Sequence, residues 1–206
     1  MKIGSVILLV ALIFNSCDTI VTTKGYVSPD KKLAVEFTET VKPKFDYIVG
    51  AKIKQNGVVI LDEPNFAIRE EDDGRHFNFV FFKTDWVGEN VLRCTDSRST
   101  VKDSEIEYTL INNSESKIKY LWIGNYSEEF LVVGLDPERS LAISSKVNSN
   151  SLNGIYVVRV LFDSGAKIAR KDMSYSHTLG KTPITITINE SSIEMQTNNS
   201  NQLRKS

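Results

Sequence analysis

Hydrophobic and polar positions alternate along this chain in short runs from about residue 19 onward, and the runs are separated by turn-forming residues. Alternation with a period of two places one set of side chains on each face of an extended strand. It predicts strands at Thr19–Val27, Leu33–Val41, Tyr47–Gln55, Val58–Leu61, Phe66–Arg69, His76–Phe82 and Val91–Thr95. A second group is predicted at Glu105–Ile111, Ile118–Ile123, Phe130–Leu135, Ser140–Ser145, Ile155–Phe162, Lys167–Lys171, Ile184–Ile188 and Ile193–Gln196. Asn56-Gly57 is the strongest short hairpin signal, because both residues tolerate the positive φ of a type I′ turn. Ser28-Pro29-Asp30-Lys31-Lys32 is a second turn, with proline preset for the first central position. In His76–Phe82, Phe77, Phe79 and Phe81 share a face and read as core. No window of a dozen residues carries a helical period.

Short strands with regular turns indicate an all-β protein, an antiparallel β-sandwich built as one body or as two small β subdomains in tandem. The polar stretch 96–104 separates seven predicted strands from eight. The expected organisation is an N-terminal β subdomain at 17–95, a linker or crossing loop at 96–104, an Ig-like sandwich at 105–196 and a disordered tail at 197–206. The Cys…Trp…Cys spacing of true Ig domains is absent, although Trp122 is placed to be a core residue.

Residues 1–17, MKIGSVILLVALIFNSC, follow a different pattern. Lys2 precedes an apolar run from Ile3 to Phe14. That run is shorter than the roughly 20 residues of a membrane span and matches the core of a secretory signal. It ends at Phe14-Asn15-Ser16-Cys17, which resembles a bacterial lipoprotein signal. Phe14 and Asn15 depart from the usual pattern, while Ser16 keeps it. The resemblance implies a signal helix at 1–16, cleavage before Cys17, and acylation of its sulfur. It also implies a chain in the cell envelope, lipid-anchored and facing the periplasm. The hairpin Tyr26–Val35 followed by Trp86–Leu92 also resembles a pattern in all-β envelope lipoproteins of poorly characterised type. If Cys17 carries lipid, Cys94 is read as a small buried hydrophobe; otherwise a Cys17–Cys94 disulfide stays open in an oxidising compartment.

Composition narrows the partners. With 25 Lys+Arg against 26 Asp+Glu, the formal charge of −1 leaves no basic footprint for nucleic acid. Two histidines and two cysteines do not make a usual zinc site, and no cofactor motif is present. The acidic run Glu70–Asp73 lacks the spacing of a calcium loop and reads as a solvated hairpin tip. His76 and His177 have no nucleophile elbow near them.

Three functions remain. The first is a non-catalytic lipoprotein that binds a protein partner or supports an envelope complex. The second is a glycan or small-ligand module, for which Tyr120, Trp122 and Tyr126, beside Asn-rich loops, are the candidate surface. The third is a hydrolase using paired carboxylates, which the 26 acids neither select nor exclude.

Overall fold

A computed structural model describes residues 20–41, 47–67, 82–96, 104–125, 128–147, 154–174 and 183–197. The predicted signal segment, Cys17, Tyr126, both histidines and most of the predicted strand at 76–82 lie outside the described residues. Within them the chain is all-β, with fourteen strands. No helix of the described residues is long and apolar enough to cross a membrane. The chain divides into two compact units, 1–89 and 90–206.

The N-terminal unit contains a meander of β1 (Ile20–Val27), β2 (Leu33–Val41), β3 (Tyr47–Gln55) and β4 (Val58–Ala67), each antiparallel to the next. The pairings of β1 with β2 and of β2 with β3 run without a register break. Alternation sorts the faces as expected. Leu33, Val35 and Phe37 of β2 and Val49, Ala51 and Ile53 of β3 are buried, while Glu36, Thr38 and Lys52 belong to the opposite, half-buried set. Phe37 packs between Tyr26 and Phe66, with ring centroids 6.2 and 6.0 Å away. Burying one such side chain contributes about 1.5–3 kcal/mol. β4 is longer than alternation suggests. It bulges against β3 between Val49 and Ala51, and the bulge carries Pro64, a residue that sheets accept at edges and irregularities.

β5 (Phe82–Trp86) was not expected as a separate strand, although its exposed Lys83 and Asp85 alternate with the half-buried Thr84 and Trp86. The division of the chain falls in the turn after it, between Glu89 and Asn90, ahead of the 96–104 stretch that composition pointed to. The reason is pairing: β6 (Val91–Asp96) hydrogen-bonds antiparallel to β9 (Glu128–Leu135), so it belongs with the second unit.

The second unit also contains β7 (Ser104–Asn112), β8 (Ile118–Asn125), β10 (Ser140–Val147), β11 (Gly154–Phe162), β12 (Lys167–Ser174), β13 (Ile184–Ile188) and β14 (Ile193–Thr197). One sheet runs β10-β7-β13-β14 and the other contains β12-β11-β8-β9-β6 in that order. Ile106, Tyr108 and Leu110 of β7 and Ile184, Ile186 and Ile188 of β13 share one core with Leu121, Phe130, Val132, Val158 and Val160. That is sandwich packing. It differs from a purely antiparallel sandwich at one place, since β13 runs parallel to β7, with Ile184 opposite Tyr108 and Ile188 opposite Asn112. Strand direction depends on how the chain returns between sheets, which alternation does not encode.

In β8 and β9 both faces are buried. Phe130 and Val132 enter the core, and Leu131 and Val133 are buried as well. This is why Phe130–Val133 reads as a continuous apolar run rather than an alternating one.

Candidate functional site at the hairpin tips of the N-terminal sheet

The β1–β2 and β3–β4 hairpins of the N-terminal sheet turn at the same end, and local chemistry makes both turns rigid. In the first, the buried Ser28 closes the turn with main-chain bonds to Leu33 and Lys31, both 2.9 Å. Its hydroxyl donates to Asp30 Oδ1 at 2.6 Å and accepts from Leu33 N at 2.9 Å. Asp30 also accepts from Lys32 N at 3.1 Å and pairs with Lys32 Nζ at 3.2 Å. The hydrogen bond from Ser28 and then that from the Lys32 amide hold the Asp30 carboxyl down at about 2. Lys31 adopts φ +62°, a left-handed conformation costing a non-glycine residue about 1–2 kcal/mol; the surrounding hydrogen bonds offset it.

In the second hairpin Asn56 and Gly57 have φ +50° and +80°, as the sequence signal predicts. Asn56 N donates to Lys32 O at 2.7 Å, tying the two tips together.

Around these turns apolar and basic side chains are exposed beside Asp30, Gln55 and Asn56. Val27, Val58 and Val59 are 59, 66 and 47 % exposed. They are three of the five large hydrophobic side chains exposed among the described residues. The register places them within two rungs of the tip: Val27, opposite Ala34, and Val59, opposite Lys54, share the outward face, while Val58, opposite Gln55, projects to the other face. Lys31 and Lys32 are exposed beside them. This composition suits recognition of an apolar surface carrying negative charge. It contains no nucleophile–base pair and no convergent carboxylates.

Farther down the outward face lies a groove of about 240 Å³, lined by Glu36, Thr38, Gly50, Lys52, Asp62 and Pro64 among others. It exists because Gly50 has no side chain where the β4 bulge passes; a Cβ there would lie 3.4 Å from Pro64 Cα. Lys52 and Asp62 pair across it at 2.9 Å, and this bond raises the Lys52 pKa.

Of the aromatic residues offered as a candidate surface, the two described ones are core residues, as the sequence placed Trp122. Tyr120 and Trp122 do share a strand face, but they are only 5 and 2 % exposed. They sit opposite the buried Val133 and Leu131, so they are packed into the protein and present no surface. Tyr126 lies outside the described residues, as does Cys17. Cys94 is buried.

The Asn-rich loop at 112–116 is also structural. Asn112 is fully buried; its amide donates to Ser116 O at 3.0 Å and Leu135 O at 2.9 Å, and its Oδ1 accepts from Ser114 N and Ser114 Oγ. That uses all four bonds an asparagine side chain can make.

One polar centre was not anticipated. Glu128, at the start of β9, is buried and accepts from Thr95 Oγ1 at 3.3 Å, Ser145 Oγ at 3.0 Å and Lys146 N at 3.0 Å. It joins β6 and β9 of one sheet to β10 of the other. Its neighbour Glu129 is buried too. Adjacent strand residues project to opposite faces, so the two carboxylates do not converge on one substrate position. The sequence signal was the pair of acids abutting the apolar run 130–133. Among the described residues no group of three or more His, Cys, Asp or Glu side chains is placed to hold a metal ion.

No protein-family model, no curated protein and no solved structure matches this chain.

Proposed function

We propose that this chain is a non-catalytic envelope lipoprotein, anchored through acylated Cys17, that uses its β scaffold to hold a rigid tip against a protein partner. One observation carries the reading: the tip exposes Val27 and Val59 on one face and Val58 on the other, beside Lys31 and Lys32, on turns whose main-chain polar groups are bonded locally. Exposed apolar side chains gathered at one place mark an interaction surface, and pre-organised turns reduce the ordering cost of binding. The signal-like segment before Cys17 and the absence of a basic footprint for nucleic acid agree with an exported, protein-binding role.

The test is site-specific photo-cross-linking in intact cells. A photoreactive residue at Val58 should yield one dominant adduct, and the same residue at the exposed Ala142 of β10 should not. The double variant Lys31→Glu, Val59→Asp should remove the adduct while leaving the far-ultraviolet circular dichroism unchanged. Equal labelling from both positions, or none from Val58, would refute the tip as the partner surface. Cys17→Ala should release the chain from the membrane fraction and remove the acyl mass.

A further inference from the structure

We propose that Asn56 is a site of spontaneous covalent modification, where the turn amide closes on the asparagine side chain and water opens the ring to aspartate or isoaspartate. The reaction needs a free main-chain amide and, in the residue before it, a free carboxamide. Gly57 N attacks Asn56 Cγ, the Cγ–Nδ2 bond breaks, and ammonia leaves carrying the proton of the attacking amide. Water then adds to either carbonyl of the succinimide. The net change is one water taken up and one ammonia released, so water is the sole co-reactant.

Both groups are free at this turn. Asn56 is exposed, and its bond to Lys32 O, at 2.7 Å, comes from its main-chain N, which leaves the carboxamide unheld. Gly57 lies beyond the last paired rung, Gln55 with Val58, so its amide takes no part in the ladder. A Cβ built on Gly57 would meet nothing within 4 Å, so the approach is open. The φ values of +50° and +80° are those of a type I′ turn. Turning over the peptide plane between the two residues leads toward type II′ and swings Gly57 N to the Asn56 side chain. That step reverses the sign of φ at the second residue, which glycine accepts freely.

The other asparagines with described side chains fail both conditions. Asn112 is buried with its bonding capacity used. Asn90 Nδ2 donates to Val133 O and Gly134 O at 3.2 and 3.1 Å. Asn113 Nδ2 donates to Asn189 Oδ1 at 2.8 Å, and Asn189 Nδ2 to Ser192 Oγ at 3.0 Å. The residues that follow them, Val91, Asn113, Ser114 and Glu190, carry a Cβ that crowds the attacking nitrogen. In the second Asn-Gly pair of the chain, Asn153 lies outside the described residues.

The product changes the tip whatever binds there. Either isomer adds a carboxylate beside the exposed Lys31 and Lys32. Isoaspartate also lengthens the main chain by one carbon, which a two-residue turn takes up only by giving up the Gln55–Val58 rung or the bond to Lys32 O.

The experiment incubates the purified full-length chain in mildly alkaline heavy-oxygen water and maps its tryptic peptides by mass spectrometry with fragmentation. Asn56 should convert before Asn90, Asn112, Asn113 and Asn189. Its product should carry heavy oxygen and separate into two isomers of equal mass, one of them matching the Asn56→Asp chain. Urea should narrow the lead of Asn56, because the bonds that hold the other carboxamides are lost. Conversion of any of those four first, or an Asn56 that keeps its amide as long as they do, overturns the site. A single aspartate product overturns the cyclic route, and a lead unchanged in urea overturns the part assigned to the side-chain bonds.

Discussion

The tip of the N-terminal sheet and the loop pole of the C-terminal sandwich are built from the same turn chemistry, with opposite results. At the pole, Asn112 and Ser114 point inward and saturate one another and the carbonyls of Ser116 and Leu135. Further out, Asn113 bonds Asn189 at 2.8 Å, and Lys117 pairs with Asp136 at 2.8 Å, holding that carboxyl below its usual range. The polar groups there close the sandwich. At the tip, Ser28 and Asp30 satisfy one turn from within, and three valines with two lysines are left outside. Where polar side chains turn inward they hold a fold shut; where the backbone is satisfied locally, the outward side chains are available for recognition.

The largest expected effect tests the sandwich. Phe130→Ala should destabilise the protein by about 3–5 kcal/mol, because a fully buried aromatic leaves a cavity that its neighbours fill only partly. Urea unfolding measures it, and a loss below about 1 kcal/mol would mean that the core at Phe130 collapses freely.

Asn112→Ala should cost about 2–4 kcal/mol, since it takes from the buried Ser114 amide its side-chain acceptor and from the Leu135 carbonyl its side-chain donor. Asn113→Ala, at an exposed bond, should fall within about 0.5 kcal/mol. Equal losses for the two would remove the distinction between inward and outward asparagines at the pole.

At the tip, Gly57→Ala should cost about 1 kcal/mol through the left-handed backbone alone, as a Cβ there meets nothing within 4 Å. Thermal unfolding reads the difference, and a neutral result would place the strain elsewhere.

The smallest effect is electrostatic. The Asp30 carboxyl titrates at about 2 instead of its ordinary 3.8. The folded form binds that proton less readily than the unfolded chain, so the contribution is complete above about 4 and is lost as the pH falls toward 2. Asp30→Asn should flatten that acid limb in melting curves recorded between pH 2 and 5. An unchanged limb would mean that the turn does not hold the carboxylate in solution.

Legibility in the sequence varied with local context. β2, β3 and β13 have the boundaries that alternation and turn residues predict. Each has one buried face and one that is not, so period two is undisturbed. The Asn56-Gly57 turn was readable because positive φ restricts the residue types that can occupy it. β5 was missed although Lys83 and Asp85 alternate with Thr84 and Trp86, because the phenylalanine-rich run before it was read as a strand ending at Phe82. Tyr120 and Trp122 were assignable to one face, yet that face is buried along with the core face of the same strand. The tip was half visible. Its turns were marked, but that Val27, Val58 and Val59 stay outside follows from which strands pair, in which register, at which end.

The sequence by itself determined the all-β class, most strand positions and the two turns of the tip, since each depends on residues within a few positions of one another. Only the tertiary structure decided the parallel β7–β13 pairing, the division at residues 89 and 90, and the Glu128 clasp between sheets. Those depend on contacts between residues far apart in the chain, and local periodicity carries no record of which distant strand will arrive beside it.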